Sequence, residues 1–286
     1  MIPAAFGYQR PSSLDEALRI IGSDSGAKVL AGGQSLLPLL KLRLGAAETL
    51  VDIGRLSELK GVRQLSDGRL AVGALTTYRE LLESPARHYG LLRDAVPGIG
   101  DLQVRNRGTV GGAIAHADPA LELPACLLAL DAEVVARSAT GERTIPIVEF
   151  FLGPFLTALR PDEILTEILL PGPRDDAGSA YVSLEQTASG YALAGVAAVV
   201  FAGEGRSISA ANVALTGVGD HAYRARAVEA ALAGSEGSAA SIEAAAAHAT
   251  DGVEVASDMH ADSAYRTAMA AVYTRRAIEA ALARLT

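Results

Sequence analysis

The sequence predicts an α+β fold. Mixed strands and helices come first along the chain, then a group of strands, then a group of helices, whereas a doubly wound parallel sheet would alternate strand and helix regularly. Half of the 286 residues are hydrophobic, so the chain can bury a sizeable core without disulfides or metals. The length is enough for two domains or one large one.

Composition argues against several classes of function. The formal net charge of −8 disfavours a nucleic-acid partner, because phosphate binding needs a concentrated basic face. Cys126 is the single cysteine, which excludes an internal disulfide and an iron–sulfur cluster, so we expect it to be a small buried apolar residue. The sequence has no HExxH motif and no Cys/His cluster, so we expect no metal site.

The sequence shows no targeting or membrane segment. Residues 1–13 lack the basic and apolar regions of a signal peptide. No stretch reaches the roughly 18–20 uninterrupted apolar residues of a membrane span. We therefore expect a soluble, cytoplasmic protein.

The first elements follow the order helix, strand, short helix and strand. Residues 13–22 predict an amphipathic helix, because Ser12 or Ser13 can cap its start and Gly22 follows its end. The other three elements of this unit are predicted at 28–30, 35–44 and 49–54.

A second unit begins near Arg55 and ends at a linker. Asp67 and Gly68 are typical of a hairpin turn between two strands. Residues 172–180 are polar and rich in Gly, Pro and Asp, which is typical of a linker. Between these points the apolar patterns predict helices at 77–84, 89–96 and 121–130, and strands at 132–137, after 141 and at 162–171.

Beyond the linker the composition shifts toward alanine. Residues 191–219 are typical of two or three antiparallel strands. The remainder is rich in strong helix formers. Its predicted helices lie at 225–233, 238–250 and 261–285.

Two turns pair adjacent glycines, AGGQS at 31–35 and TVGGA at 109–113. Residues without a Cβ let a ligand approach the backbone, and consecutive N–H groups near a helix start can form an anion-binding nest. Two such turns suit a ligand with two phosphates. One pair alone, in a chain with 29 glycines, favours a plain tight turn. The motifs GxGxxG and GxxxxGK(S/T) are absent, so neither a Rossmann NAD site nor a P-loop is supported.

With their surroundings the two turns become more specific. AGGQSLLPLLKLRL and TVGGAIAHADPALELPA resemble the two flavin-binding segments of the medium subunits of molybdenum hydroxylases, the family of aerobic carbon monoxide dehydrogenase and xanthine dehydrogenase. The resemblance covers nearly the whole chain. It implies an FAD-binding domain of the vanillyl-alcohol-oxidase (PCMH) type at 1–175, with subdomains at about 1–54 and 55–175, and a small α+β C-terminal domain at 178–286.

The resemblance also implies which residues hold the cofactor, FAD. The first turn would wrap the diphosphate through backbone amides, the acids would accept bonds from hydroxyl groups, and Tyr191 would lie close to the flavin ring. The matching positions are Lys28, Val29, Leu30, Ala31, Gly32, Gly33, Gln34, Ser35, Leu36, Ala74, Ile99, Gly100, Thr109, Gly111, Gly112, Ala113, Asp118, Glu122, Leu165 and Tyr191. Because FAD performs the redox chemistry, we assign no acid–base catalytic residue.

Three positions depart from the family pattern. Ala113 stands where many relatives have Asn, Glu185 where many carry a basic residue, and Gly190 where Asp is frequent. A lysine near the ring would favour the anionic reduced flavin, and a glutamate would oppose it. We therefore expect these changes to affect the flavin potential and the acceptor more than FAD binding itself.

The function implied by the resemblance is electron transfer within a larger complex. A large molybdopterin subunit would hydroxylate the substrate, and a small iron–sulfur subunit would pass electrons to the FAD of this chain, in a dimer of heterotrimers. The external acceptor could be NAD, a quinone, oxygen or another carrier. Two alternatives remain open: a stand-alone flavin oxidase or dehydrogenase, and a non-enzymatic cofactor-assembly protein on the same fold.

Overall fold

The computed structural model describes residues 2–205 and 207–285. Its strands form three main sheets and one two-stranded hairpin. The strands are β1 (Gly7–Gln9), β2 (Ala27–Leu30), β3 (Thr49–Asp52), β4 (Val62–Gln64), β5 (Leu70–Gly73), β6 (Glu133–Ser138), β7 (Gly141–Pro146), β8 (Phe151–Gly153), β9 (Leu156–Thr157), β10 (Ile164–Leu170), β11 (Ala177–Glu185), β12 (Ala192–Ala202), β13 (Ile208–Thr216) and β14 (Tyr223–Arg224).

The helices lie on the faces of these sheets and between them. They are α1 (Leu14–Ser23), α2 (Leu36–Leu42), α3 (Tyr78–Glu83), α4 (Gly90–Ala95), α5 (Leu102–Arg105), α6 (Val110–His116), α7 (Glu122–Ala129), α8 (Arg226–Leu232), α9 (Ala239–Ala246) and α10 (Ser263–Leu282). No helix in the described ranges is long and apolar enough to cross a membrane.

The first sheet is small and parallel, with the strand order β1-β3-β2. Helix α1 packs against this sheet. Ser13 caps the helix by accepting a hydrogen bond from the Glu16 N–H. The buried residues of α1 recur at helical spacing and are Leu14, Ala17, Leu18 and Ile21. Strand β2 lies at the edge of this sheet, so the glycine turn that follows it also starts at the edge.

The second sheet is antiparallel, in the order β4-β5-β10-β6-β7. Five of the seven residues of its central strand β10 are apolar, and six are buried. Helix α7 is buried along its whole length. It packs between helices α4 and α6 on one side and strands β12 and β13 of the third sheet on the other. Cys126 lies in α7 and is fully buried, as the sequence predicts.

The third sheet, β11-β12-β13-β14, is antiparallel and is covered by α10. Its β13 end fixes the segment before α7. The Thr216 hydroxyl donates to the carbonyls of Pro119, at 2.7 Å, and Leu121, at 2.8 Å. The Gly217 N–H also donates to the Pro119 carbonyl, at 2.8 Å. The C-terminal unit thereby positions Glu122, the residue that begins α7.

Most predicted elements are confirmed, with four differences. Helices α5 and α6 and the two-residue strand β14 were not predicted. Gly22 lies inside α1 rather than after it. The predicted linker 172–180 is shorter, because β11 already starts at Ala177 and pairs with β12. The sequence analysis did not predict β1, β8 and β9, whose two or three residues are too few to produce a recognisable apolar alternation.

Candidate functional site

The first glycine turn carries a row of backbone donors. Gly33 has a φ of +76°, in the left-handed region that favours glycine. None of the backbone N–H groups of residues 32–36 donates to an acceptor within 2–205 and 207–285. The first N–H to do so belongs to Leu37, which donates to the Gly33 carbonyl at 3.1 Å. Five consecutive unpartnered donors at a helix start can bind an anion.

Gly32 lacks a side chain for a reason that lies in the protein itself. A Cβ on Gly32 would come within 2.1 Å of the Arg107 carbonyl oxygen and 3.1 Å of the Gly108 Cα. The segment before the second glycine turn therefore presses directly on the first turn. This contact alone is enough to require glycine at position 32, whether or not a ligand also approaches the turn.

The second glycine pair lies inside a helix instead of an open turn. Thr109 is the N-cap of α6, and its hydroxyl accepts from the Gly112 N–H at 3.2 Å. The N–H groups of Val110 and Gly111 donate to the carbonyls of Thr76 and Ala74, both at 2.9 Å. Four successive N–H groups, residues 110–113, thus have protein acceptors. The expected nest of free amides at 109–113 is wrong.

Close packing joins both turns to the second sheet. A Cβ on Gly111 would lie 2.5 Å from the Ala74 Cβ, and one on Gly112 would lie 3.9 Å from the Ala31 Cβ. The Ala74 N–H donates to the Thr166 carbonyl, next to Leu165 on β10. Several predicted residues from four distant segments therefore lie in one cluster, in which Gly112 remains exposed.

A second cluster gathers acids and tyrosines beside the first. Glu122 is 5% exposed. Burial, and then the neighbouring charges of Glu185 and Asp118, raise its pKa to about 7, although its own backbone N–H favours the ionised form. Burial and the Glu122 charge also raise the pKa of the Tyr78 hydroxyl. Tyr78 links the two clusters, because its ring lies 2.7 Å from where a Gly108 Cβ would stand.

The turn between β11 and β12 brings two further groups to this cluster. Tyr191 is 44% exposed, and burial together with the charges of Asp118 and Glu122 raises the pKa of its hydroxyl. A Glu185 carboxylate oxygen lies 3.5 Å from where a Gly98 Cβ would stand. The C-terminal unit therefore contributes an acid and an aromatic residue to a site built mainly by the N-terminal unit.

The other predicted residues differ in exposure. Lys28 is exposed on β2, whereas Val29 and Leu30 are half-buried. Ala74, Ile99 and Leu165 are at most 5% exposed, so neighbouring protein atoms cover nearly all of their surface. The adjacent Gly100 has a φ of +54°, and its carbonyl accepts from the Arg105 guanidinium at 2.9 Å.

His116 has a structural setting rather than that of a metal ligand. Its ring is tilted against that of Phe155, with the centroids 5.1 Å apart. Burial lowers its pKa, and Asp118, whose carboxylate lies 4.0 Å from Nε2, opposes that shift. In the part of the chain that the structure describes, no group of three His, Cys, Asp or Glu residues could hold a metal ion.

Sequence reasoning missed Tyr78 and Arg107. In the sequence, Tyr78 is an ordinary residue in the first turn of α3, where Thr77 and Glu80 form a capping box. Arg107 contacts the first glycine turn only through its backbone carbonyl. Neither carries a local signal, because their roles arise from contacts with distant segments.

A cavity of about 400 Å³ adjoins the second cluster. Asp118 and Tyr191 belong to both. Its far side contains Arg266, which donates to the Leu193 carbonyl at 2.8 Å and to the Asp258 carboxylate at 2.6 Å. Burial opposes the ionisation of Asp258, but the N–H groups of His260 and Ala261 and the Arg266 charge together lower its pKa to about 2.

Comparisons with known proteins agree with this architecture. Residues 4–173 match the family of FAD-binding domains in molybdopterin dehydrogenases, and residues 179–281 match the C-terminal domain of carbon monoxide dehydrogenase flavoproteins. The carbon monoxide dehydrogenase medium chain of Hydrogenophaga pseudoflava is 40% identical, over 99% of each chain. The alpha subunit of the 6-hydroxypseudooxynicotine dehydrogenase complex of Paenarthrobacter nicotinovorans is 38% identical, over 99% of this chain and 97% of its own.

The solved structures give the same result. Carbon monoxide dehydrogenase from Hydrogenophaga pseudoflava superposes with a TM-score of 0.96 at 42% identity, over 100% of both chains. The two family matches together cover both the N-terminal and the C-terminal unit. The full-length relatives and the superposed structure each cover both units as well. The chain therefore belongs to the FAD-binding medium subunits of the molybdenum hydroxylases, a family of multi-subunit oxidoreductases, and its cofactor is FAD.

Proposed function

We propose that this chain passes electrons from the iron–sulfur clusters of a partner subunit, through FAD, to an external acceptor. The single observation that carries the proposal is the row of five unpartnered N–H groups at residues 32–36, at the start of α2. Such a row suits a diphosphate. The clusters must lie on another chain, because Cys126 is the single cysteine and is fully buried.

The residues present fit FAD. The 31–36 turn would hold the diphosphate, and the carboxylates of Asp118 and Glu122 would accept hydrogen bonds from ribityl or adenosine hydroxyl groups. Tyr191, from the C-terminal unit, would face the ring. Bound FAD supplies the redox chemistry, and these residues bind and orient it. The remaining positions predicted from the family pattern stay proposed as its contacts.

We further propose a dimer of heterotrimers in the cytoplasm, with a large molybdopterin subunit and a small iron–sulfur subunit. Relatives are named as medium chains or complex subunits. The surface of the described chain exposes large apolar residues, which are common at subunit contacts. They include Leu42, Leu44, Leu102, Leu152, Phe155 and Leu156.

The acceptor would approach through the cavity beside Tyr191. Asp118 lines it, and Arg266 is already paired with Asp258, so among the described residues that line the cavity no unpaired arginine or lysine would offset a dinucleotide's diphosphate. This charge balance favours a neutral acceptor, a quinone or oxygen, over NAD.

The test is purification of the native protein under mild conditions. We expect a yellow complex with one FAD per chain and two other subunits, in which substrate reduces the flavin. Purification of the chain alone, with its own substrate-reducible flavin, would favour a stand-alone enzyme. A colourless chain, bound to immature partner subunits, would favour an assembly protein. Gly32→Ala should abolish flavin retention, and Gly22→Ala, with open space around its Cβ, is the matched control.

A further inference from the structure

Arg266, near the start of α10, has an almost wholly buried side chain and is 4% exposed. Its Nη1 donates to the Leu193 carbonyl at 2.8 Å and to the Gly217 carbonyl. Its Nη2 donates to the Asp258 carboxylate at 2.6 Å. A buried guanidinium is costly unless polar and charged partners surround it. These three contacts therefore fix where the guanidinium lies, and the guanidinium in turn fixes its partners.

The two carbonyls that share Nη1 belong to the ends of neighbouring strands. Leu193 lies near the start of β12, and Gly217 directly follows β13. The pairing between these strands does not extend to either residue. A Cβ on Gly217 would lie 2.3 Å from the Ala192 carbonyl oxygen, so the two backbones touch there. The guanidinium supplies the donor that both carbonyls need at the point where the strand pairing stops.

Both strand ends lead directly to predicted flavin contacts. Tyr191 lies two residues before Leu193, immediately before β12. The Gly217 N–H donates to the carbonyl of Pro119, the residue after Asp118, at 2.8 Å. The side chains of Tyr191 and Asp118 line the same cavity of about 400 Å³. One guanidinium thus joins the chain segments that carry these two side chains.

The carboxylate of Asp258 sets the orientation of the guanidinium plane. Its Oδ1 accepts from the N–H groups of His260 and Ala261, at 2.8 and 3.0 Å, so the carboxylate is itself held by the loop before α10. With Nη2 on Asp258, the planar fork directs Nη1 at both carbonyls. A lysine ammonium is a single point charge without this fork, so it cannot reproduce the bridge.

We propose that Arg266 is a positioning residue of the flavin site: by holding the ends of β12 and β13 together, it fixes the Tyr191 side chain against the flavin ring. It acts through the backbone of Leu193 and Gly217 and not through a contact of its own with the cofactor. The inference rests on the proposed function, because it needs bound FAD with Tyr191 beside the ring.

Removal of the bridge has a defined physical consequence. Two carbonyl oxygens would then face each other without a donor between them, at a buried position where an unpaired polar group is costly. The strand ends separate or admit water, and Tyr191 moves with the start of β12. The contact between its ring and the flavin is therefore lost before the fold is.

The experiment measures the flavin fluorescence lifetime of the FAD-loaded complex. A tyrosine in contact with an excited flavin shortens the lifetime by donating an electron, whereas phenylalanine is too hard to oxidise to do so. The lifetime therefore reports the contact with Tyr191, and the chain has no tryptophan to mask it. The variants are Arg266→Lys, Tyr191→Phe and the two combined. The matched control is Arg275→Lys, on the same helix, which loses only a half-exposed ion pair with Glu279.

We expect Arg266→Lys to lengthen the lifetime severalfold and Tyr191→Phe to lengthen it at least as much. The combined variant should equal Tyr191→Phe alone, because both changes remove one contact, and the control should match wild type. A wild-type lifetime in Arg266→Lys, with only a lower denaturant midpoint, would show a merely structural role and overturn the inference. So would a wild-type lifetime in Tyr191→Phe, or additive lengthening in the combined variant.

A second variant keeps the inference testable if Arg266→Lys fails to bind FAD. Asp258→Asn leaves the guanidinium in place but weakens the contact that orients it, so it should give a smaller lengthening that disappears when Tyr191→Phe is added. A wild-type lifetime in Asp258→Asn would then overturn the inference while the proposed function stands. A wild-type complex that lacks flavin, or whose flavin the substrate does not reduce, would overturn the proposed function itself.

Discussion

At the scale of the residue, Glu185 adds a negative charge beside the proposed flavin site. Its carboxylate lies over Gly98 and raises the pKa of Glu122. Glu185→Lys would replace a negative charge by a positive one and favour the reduced flavin. We expect the midpoint potential to rise by roughly 30 mV or more, which is about 1.4 kcal/mol for a two-electron couple. Redox titration with reference dyes measures the shift.

The control is Glu185→Gln, which removes the charge without reversing it and should give a smaller rise. Because Glu185 is exposed, added salt should reduce both shifts. An unchanged or lowered potential in the lysine variant would contradict the placement of this side chain beside the ring.

Gly32 packs closely against neighbouring backbone and also lies in the turn that is proposed to hold the diphosphate. A methyl group there would clash with the Arg107 carbonyl at 2.1 Å, so Gly32→Ala must separate the two turns. We expect loss of FAD and a cost of about 1–3 kcal/mol, typical of overpacking. The ratio of visible to ultraviolet absorbance and the denaturant midpoint measure the two effects.

The control variant Gly22→Ala has nothing within 4 Å of its Cβ and lies inside α1. It should retain FAD and gain about 0.5–1 kcal/mol, because alanine is the better helix former. Full flavin content in Gly32→Ala would show that the contact with Arg107 can yield without affecting the site.

At the scale of the element, α6 depends on its N-cap. The Thr109 hydroxyl accepts from the Gly112 N–H in the first turn, where two glycines weaken the helix. Thr109→Ala should destabilise the protein by about 1 kcal/mol, whereas Thr109→Ser should keep most of the stability. Guanidinium unfolding of both variants tests this, and equal loss in the two would mean that the hydroxyl is not the cause.

At the scale of the whole molecule, Asp94 ties the two units together. Its carboxylate accepts from the Tyr181 N–H at 3.1 Å and from Arg284 at the end of α10. Asp94→Ala leaves the Tyr181 N–H without its acceptor and removes the ion pair of Arg284, which keeps only its bond to the Ser179 carbonyl, at a cost of about 1–3 kcal/mol. We expect proteases to cut the chain faster near residues 172–176. Gel electrophoresis of samples taken over time measures the cleavage rate. Asp175→Ala, at an exposed position of that segment, should be cut at the wild-type rate.

The stability of the whole chain should also depend on the protonation of Glu122. Its pKa is about 7 in the folded state against 4.5 for an ordinary glutamate carboxyl, so the folded state binds the proton more tightly. The resulting stability is complete below about pH 4.5 and is lost as the pH rises through 7. Between pH 5 and pH 8, wild type should lose roughly 2–3 kcal/mol relative to Glu122→Gln. Parallel pH profiles in denaturant melts of the FAD-free proteins would contradict this.

The sequence by itself determined the local elements, the family and the cofactor. Caps and apolar periodicity are local, so α1 and α10 can be predicted from a few neighbouring residues. The glycine pairs with their flanking residues are long enough to indicate an FAD site. Ser13 as a cap and the Asp67-Gly68 hairpin are examples of signals that need no distant partner.

Only the tertiary structure decided why the site residues are what they are. Gly32 lacks a side chain because the Arg107 carbonyl lies against it, the amides of Val110 and Gly111 are bound because the carbonyls of Thr76 and Ala74 accept from them, and the pKa of Glu122 is raised because the folded chain buries it. Each cause joins groups far apart in the chain. Burial and close contact depend on the folded path of the backbone, which a local pattern of residue types does not encode.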